Sequence, residues 1–152
     1  MNVEDLYQEI ILDHYRAKHH SGLREPYEAE VHHVNPSCGD EVTLRVHVSN
    51  GVVTDVSYEA QGCSISQASS SVMTDLVIGK PVSGGLELHD EFLTMMQSKG
   101  AYEPDEEQLE DAIAFAGVAK FPVRVKCALL GWSAFKDAVL RAGVQETTEE
   151  RA

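Results

Sequence analysis

Between residues 42 and 58 the chain spells out a β-hairpin. Val42-Thr43-Leu44-Arg45-Val46-His47-Val48 alternates apolar with polar residues, Asn50-Gly51 follows, and Val52-Val53-Thr54-Asp55-Val56-Ser57-Tyr58 answers as a second strand. Alternation with period two sends every other side chain to the same face, and Asn-Gly is the dipeptide best suited to a two-residue hairpin turn. Upstream, Ala29, Val31 and His33 alternate with Glu30 and His32 and supply a third strand. Three short strands in succession predict an antiparallel meander with one face buried and one wet. His32, His33 and His47 are expected on the wet face.

Helical periodicity fills most of the rest. Val3 to His19 carries Leu6, Ile10 and Ala17 on one face, with Glu4 and Asp5 at the end where a helix dipole favours acids. His14 reads as a core-edge or capping histidine, and His19-His20 as a polar helix end. A helix of about Ser66 to Ile78 buries Ala68, Val72 and Leu76; Leu86 to Lys99 is a second, opened by Gly84-Gly85; Glu106 to Ala119 is a third. Phe121-Pro122 closes that one, Val123 to Lys126 is expected to be extended, and a last helix runs from Cys127 to about Ala142, stopped by Gly143. The fold class is therefore α+β, a three-stranded antiparallel sheet with helices packed against it. Residues 1–144 are expected to form one domain, and 145–152 a polar, disordered tail. Ser69-Ser70-Ser71 resembles a nucleophile cluster, but the sequence supplies no paired base, so these residues read as small side chains that let a helix pack closely.

Charge narrows the function classes. Acidic residues outnumber basic ones 25 to 12 among 152 residues, for a formal net charge of −13. Nucleic acid and anionic membrane both reward clustered Lys and Arg, so neither is an expected partner. With no long apolar run and an acidic N-terminus, the chain is expected to be cytoplasmic. Three cysteines in a reducing compartment point to metal ligation or thiol chemistry rather than to a disulfide framework.

Those cysteines all fall at junctions between elements. Cys38 sits in the turn Asn35-Pro36-Ser37-Cys38-Gly39-Asp40, Cys63 where a strand gives way to a helix, and Cys127 at the start of the last helix. Cys63 and Cys127 would lie near helix N-termini, where free N–H groups favour a thiolate. With Asp40 they make four candidate ligands, three sulfur and one oxygen, for zinc or an iron–sulfur unit.

Three motifs in order, Asn35 to Asp40, Gly62-Cys63-Ser64-Ile65-Ser66 and Lys126-Cys127-Ala128, together with Leu6-Tyr7-Gln8-Glu9 and Asp13-His14-Tyr15, carry a resemblance. The chain resembles the U-type iron–sulfur cluster assembly proteins, the IscU/SufU family, over nearly its whole length up to the tail. The IscU-like members carry a histidine just before the third cysteine, where this chain has Lys126, and a shorter segment between the second and third cysteines. Both departures look like the SufU branch. The resemblance implies a SufE/NifU-like fold and a Zn2+ site formed by Cys38, Asp40, Cys63 and Cys127. It implies sulfurtransferase-like activity, with Cys38 accepting persulfide sulfur from a PLP-dependent cysteine desulfurase of the SufS type, and downstream SUF cluster-assembly proteins as further partners. Arg124 is expected to pair with Asp40 or to neutralise the site's charge. Two alternatives stay open: a scaffold on which a [2Fe-2S] cluster is assembled, and a purely structural zinc module. Residues 84–102 account for the longer segment.

Overall fold

Asn50 and Gly51 take φ values of 53° and 76° and close the hairpin as the sequence predicts. The computed structural model describes residues 3–37, 39–100 and 106–151. Its element order is α1 (Val3–Ala17), β1 (Ala29–Asn35), β2 (Asp40–Ser49), β3 (Val52–Gln61), α2 (Ser64–Val77), α3 (Val82–Gln97), α4 (Glu106–Leu109), a 3-10 segment (Glu110–Lys120) and α5 (Pro122–Arg151). The sheet is antiparallel throughout, in the order β1-β2-β3. A bulge between His47 and Val48 shifts the β2–β3 register.

The strands extend further toward the cysteines than their apolar alternation suggests. Strand β2 starts at Asp40, whose side is shared with Val42, Leu44, Val46 and Val48, and all five are buried. Period two therefore turns an acidic side chain into the protein. Helix α5 lies across β1 and β2, and α2 packs on β3, α1 and α5. Opposite the helices, His32 and His47 face outward, as expected. His33 does not. It shares the inner side with Ala29 and Val31, and its Nε2 lies 2.8 Å from Asp137 Oδ2 on α5. The alternation already separated His33 from His32; a polar contact across the core edge is what lets it stay there.

Helix α3 covers most of residues 84–102 and extends the core. Its Leu88, Phe92, Met95 and Met96 are buried. Phe92 stacks on Trp132 of α5 with centroids 4.8 Å apart and meets Phe115 of the 3-10 segment edge-on at 6.0 Å. Such pairs contribute about 0.5–1.5 kcal/mol each beyond the area they bury. Gly84 and Gly85 lie inside α3 rather than opening it. A Cβ on Gly85 would stand 2.9 Å from Phe135 Cζ, so the glycine is required by the close approach of α5.

Several boundaries differ for local reasons. Pro122 starts α5, because a proline at the first helical position loses no hydrogen bond and has its φ already set; Val123 to Lys126 are thus helical, not extended. Helix α5 also runs through Gly143 to Arg151, since one glycine costs a helix only about 1 kcal/mol. Glu106 to Ala119 is not one α-helix. It breaks at Glu110, whose φ is +45°, into α4 and the 3-10 segment.

Two carboxylates pin loops and helices by charge. Arg24 forks onto Asp55, Nε to Oδ2 at 3.0 Å and Nη2 to Oδ1 at 2.7 Å, and also donates to Val56 O. That hydrogen bond holds the Asp55 carboxyl below its ordinary range. Hydrogen bonds from His33 and then Arg141 lower Asp137 likewise. A carboxyl with a depressed folded pKa stabilises the fold above its unfolded pKa, and that stabilisation is lost as pH falls through the folded value. The urea midpoint is therefore expected to hold down to about pH 4 and then to drop. In Asp55→Asn/Asp137→Asn the acid limb should be visibly shallower; equal slopes in the two proteins would remove this pair as its source.

Candidate metal centre

Three of the four expected ligands come together at one end of the molecule. Asp40 opens β2, Cys63 is the N-cap of α2, and Cys127 lies one turn into α5. One ligand atom from each falls within 4.8 Å of the others. Cys38 lies outside the described residues; its two sequence neighbours are both tied to Asn35. Ser37 N–H donates to Asn35 Oδ1 at 3.1 Å and Gly39 N–H to Asn35 O at 2.8 Å. Asn35 itself is the register partner of Asp40.

Asp40 is the fixed member of the set. It is buried, and its Oδ1 accepts the Cys63 N–H at 3.2 Å while Oδ2 lies 3.5 Å from Cys63 Sγ. Cys63 is exposed, with extended backbone and no side-chain cap bond, so its sulfur is left to the site. Cys127 is different. It is buried, its Sγ lies 3.6 Å from Val123 O in the preceding turn, and it sits past the free N–H groups of α5. The early start of α5 at Pro122 removes the helix-end argument for this thiol.

The donors suit zinc. Zinc–ligand bonds of about 2.0–2.3 Å put tetrahedral ligand atoms roughly 3.3–3.8 Å apart, and the Cys63–Asp40 separation of 3.5 Å already meets that. Two neighbours shape the site without being ligands, and motif reading passed over their roles. Ser66, buried, donates to Cys63 O at 3.1 Å and lies 4.0 Å from its sulfur. Gly62 has φ +156°, and a Cβ there would stand 2.5 Å from the Asp40 carboxyl carbon. The strand-to-helix position of Gly62 was a sequence signal for close approach, but its target was not. Arg124 is exposed and lays its guanidinium over the Phe121 ring, 5.6 Å from the centroid.

The serine run has a base after all. His14, buried on α1, sits between Ser71 Oγ at 2.8 Å from Nδ1 and Asp111 Oδ2 at 3.0 Å from Nε2. The order Asp–His–Ser is that of a hydrolytic triad, yet Ser71 is wholly buried and also accepts the His19 N–H. No substrate can reach it. Ser69 donates to Ala128 O and Ser70 to Ser66 O, and a side chain on Gly131 of α5 would overlap Ser70, so close helix packing is the right reading of this run.

Comparison with known proteins identifies the family. Residues 6–140 match the NifU-like N terminal domain. The chain is 42% identical over 146 residues to an iron–sulfur cluster assembly scaffold protein IscU of Streptococcus pyogenes serotype M1, covering 95% of this chain and 90% of that protein. It is 38% identical over 141 residues to the zinc-dependent sulfurtransferase SufU of Bacillus subtilis, covering 92% and 93%. Among solved structures, an iron–sulfur cluster assembly scaffold protein for the SUF system from Fervidobacterium islandicum superposes with TM-score 0.80 at 37% identity, over 90% of this chain and 98% of that one. The N-terminal part of a NifU-like protein from Brucella abortus gives TM-score 0.83 at 27% identity, over 99% of both. No helix among the described residues is long and apolar enough to cross a membrane. With its three-stranded sheet, its covering helices and its Asp-Cys-Cys cluster, the chain belongs to the NifU-like N-terminal domain family, which includes the iron–sulfur cluster assembly proteins IscU and SufU.

Proposed function

We propose that this protein is a zinc-dependent sulfur carrier of iron–sulfur cluster assembly, working in the cytoplasm with a PLP-dependent cysteine desulfurase of the SufS type and with downstream SUF proteins. The observation that carries this reading is the convergence of Asp40, Cys63 and Cys127 to within 4.8 Å from three separate elements, with Cys38 two positions before Asp40 in sequence. Two further points support it. The Bacillus subtilis relative is a zinc-dependent sulfurtransferase, and Lys126 occupies the place where IscU-like members carry histidine. Zinc, when bound, holds its sulfur ligands as thiolates at neutral pH.

Cys38 is the proposed acceptor. Its thiolate attacks the terminal sulfur of the desulfurase persulfide; a new S–S bond forms on Cys38, the enzyme's S–S bond breaks, and the electron pair leaves on the enzyme's cysteine thiolate. Asp40, held by the Cys63 N–H, keeps its place at the start of β2 while the turn before it reacts. Arg124 and Lys126, both exposed and both just before Cys127 in sequence, offset the negative charge that three thiolates and a carboxylate bring. The names of the IscU relatives favour one other reading, assembly of a [2Fe-2S] cluster on the same donors.

Metal analysis of untagged protein, joined to mass spectrometry after incubation with desulfurase and cysteine, separates these. One zinc per chain and the mass of one added sulfur on Cys38 are expected. Iron with acid-labile sulfide would favour the scaffold, and zinc without sulfur on Cys38 would mean a structural metal.

A further inference from the structure

A second cluster of metal-ligating side chains lies where α1 and the turn after it meet α2. His14, His19 and Asp75 each offer a ligand atom, all within 4.8 Å of one another. The cluster is distinct from the thiol centre. Cys63 caps the start of α2 and Asp75 lies near its end, about 18 Å along at 1.5 Å rise per residue. We propose that His14, His19 and Asp75 form a second site for a borderline divalent transition cation such as zinc or cobalt.

The donor set is of the right kind, since two imidazoles and a carboxylate suit zinc, cobalt and nickel rather than calcium or magnesium. One ligand has its ring already oriented. His14 is 5% exposed and both its ring nitrogens have partners, Ser71 Oγ at 2.8 Å and Asp111 Oδ2 at 3.0 Å, so a cation would displace one of them and the other would remain as the outer-shell partner that fixes the ring. The other two ligands are open to solvent, with 45% of the His19 side chain and 38% of the Asp75 side chain exposed, which leaves an entry path. They already meet through His19 Nδ1 and Asp75 Oδ2, 2.6 Å apart, so a cation would replace the shared proton. His20 stands behind them, its Nδ1 3.5 Å from Asp75 Oδ1.

The surroundings favour a cation as well. Two cavities of about 240 and 250 Å³ flank His14; Asp75, Glu110 and Asp111 line one, and Asp13, His19 and Asp111 the other. Glu110 reaches that rim from a backbone at φ +45°, a conformation that costs a non-glycine residue about 1–3 kcal/mol and is concentrated at functional positions. A cation here would tie α1 and the turn after it to α2.

Cobalt titration of the untagged, metal-free wild-type chain tests the site without reference to sulfur transfer. Cobalt on thiolates gives strong near-ultraviolet charge-transfer absorption; on imidazole and carboxylate it gives only weak visible bands. A saturable equivalent of the second kind is expected, and it should be lost in both His19→Ala and Asp75→Asn. Because these side chains are partly exposed, both variants should keep the wild-type circular dichroism. The proposal fails if no such equivalent appears in the wild type, or if it survives in both variants.

Discussion

Cys38→Ala is expected to abolish stimulation of the desulfurase while leaving the protein folded. In sequence the residue stands between Asn35 and Asp40, which pair across β1 and β2 and are set by the strand ladder. Without a sulfur at position 38 there is no acceptor for the enzyme's persulfide, so turnover should fall to the level of the desulfurase alone. Binding to the desulfurase should persist, because docking does not need the transferred atom. Residual metal is expected as well, since Asp40, Cys63 and Cys127 are brought together by three other elements. Desulfurase turnover with wild type and variant, beside a pull-down of the two proteins, reads both effects. Full stimulation by the variant would sink the acceptor assignment.

Gly62→Ala should strip the metal without touching a ligand. The added Cβ would meet Asp40 Cγ and Oδ1 at 2.5 Å and Ser66 Oγ at 2.8 Å, closer than packed carbon atoms come. Asp40 is the group that must yield, and it is buried against Cys63, so its carboxylate swings out of the donor set. The φ of +156° at Gly62 adds strain for any residue with a side chain. Zinc content well below one per chain is expected, with a stability loss of about 1–3 kcal/mol. Gly117→Ala, where a Cβ would meet nothing within 4 Å, is the matched control and should keep its metal. If Gly62→Ala loaded zinc like the control, the crowding of Asp40 would be no part of the site.

Residue pattern made some of this architecture legible and left other parts hidden. The hairpin, the third strand and the helical layer follow from period-two and helical spacing, because burial of one face per element is a local property of the chain. The inward turn of Asp40 was readable too: it stands in phase with Val42 and Leu44, and only its charge argued otherwise. His33 and His14 were harder. Each is polar on an inward side, and what makes that tolerable is a partner far along the chain, Asp137 in one case and Ser71 with Asp111 in the other. Hydrogen bonds between residues so distant leave no mark on local periodicity.

The start of α5 shows the reverse error. Pro122 looked like the end of one helix and was the beginning of the next, since proline is compatible with both positions and the flanking residues do not choose. That choice moved Cys127 from a helix terminus to a position one turn inside, and with it the physical reason for its thiolate. The motifs around Cys38, Cys63 and Cys127 named the chemistry, because thiols and a carboxylate are matched to borderline cations whatever the fold. That the described three reach one point, and that His14, His19 and Asp75 reach another, came from the packing of α1, α2, β2 and α5. Distances between side chains on different elements exist only once those elements are docked, and no spacing along the chain encodes them.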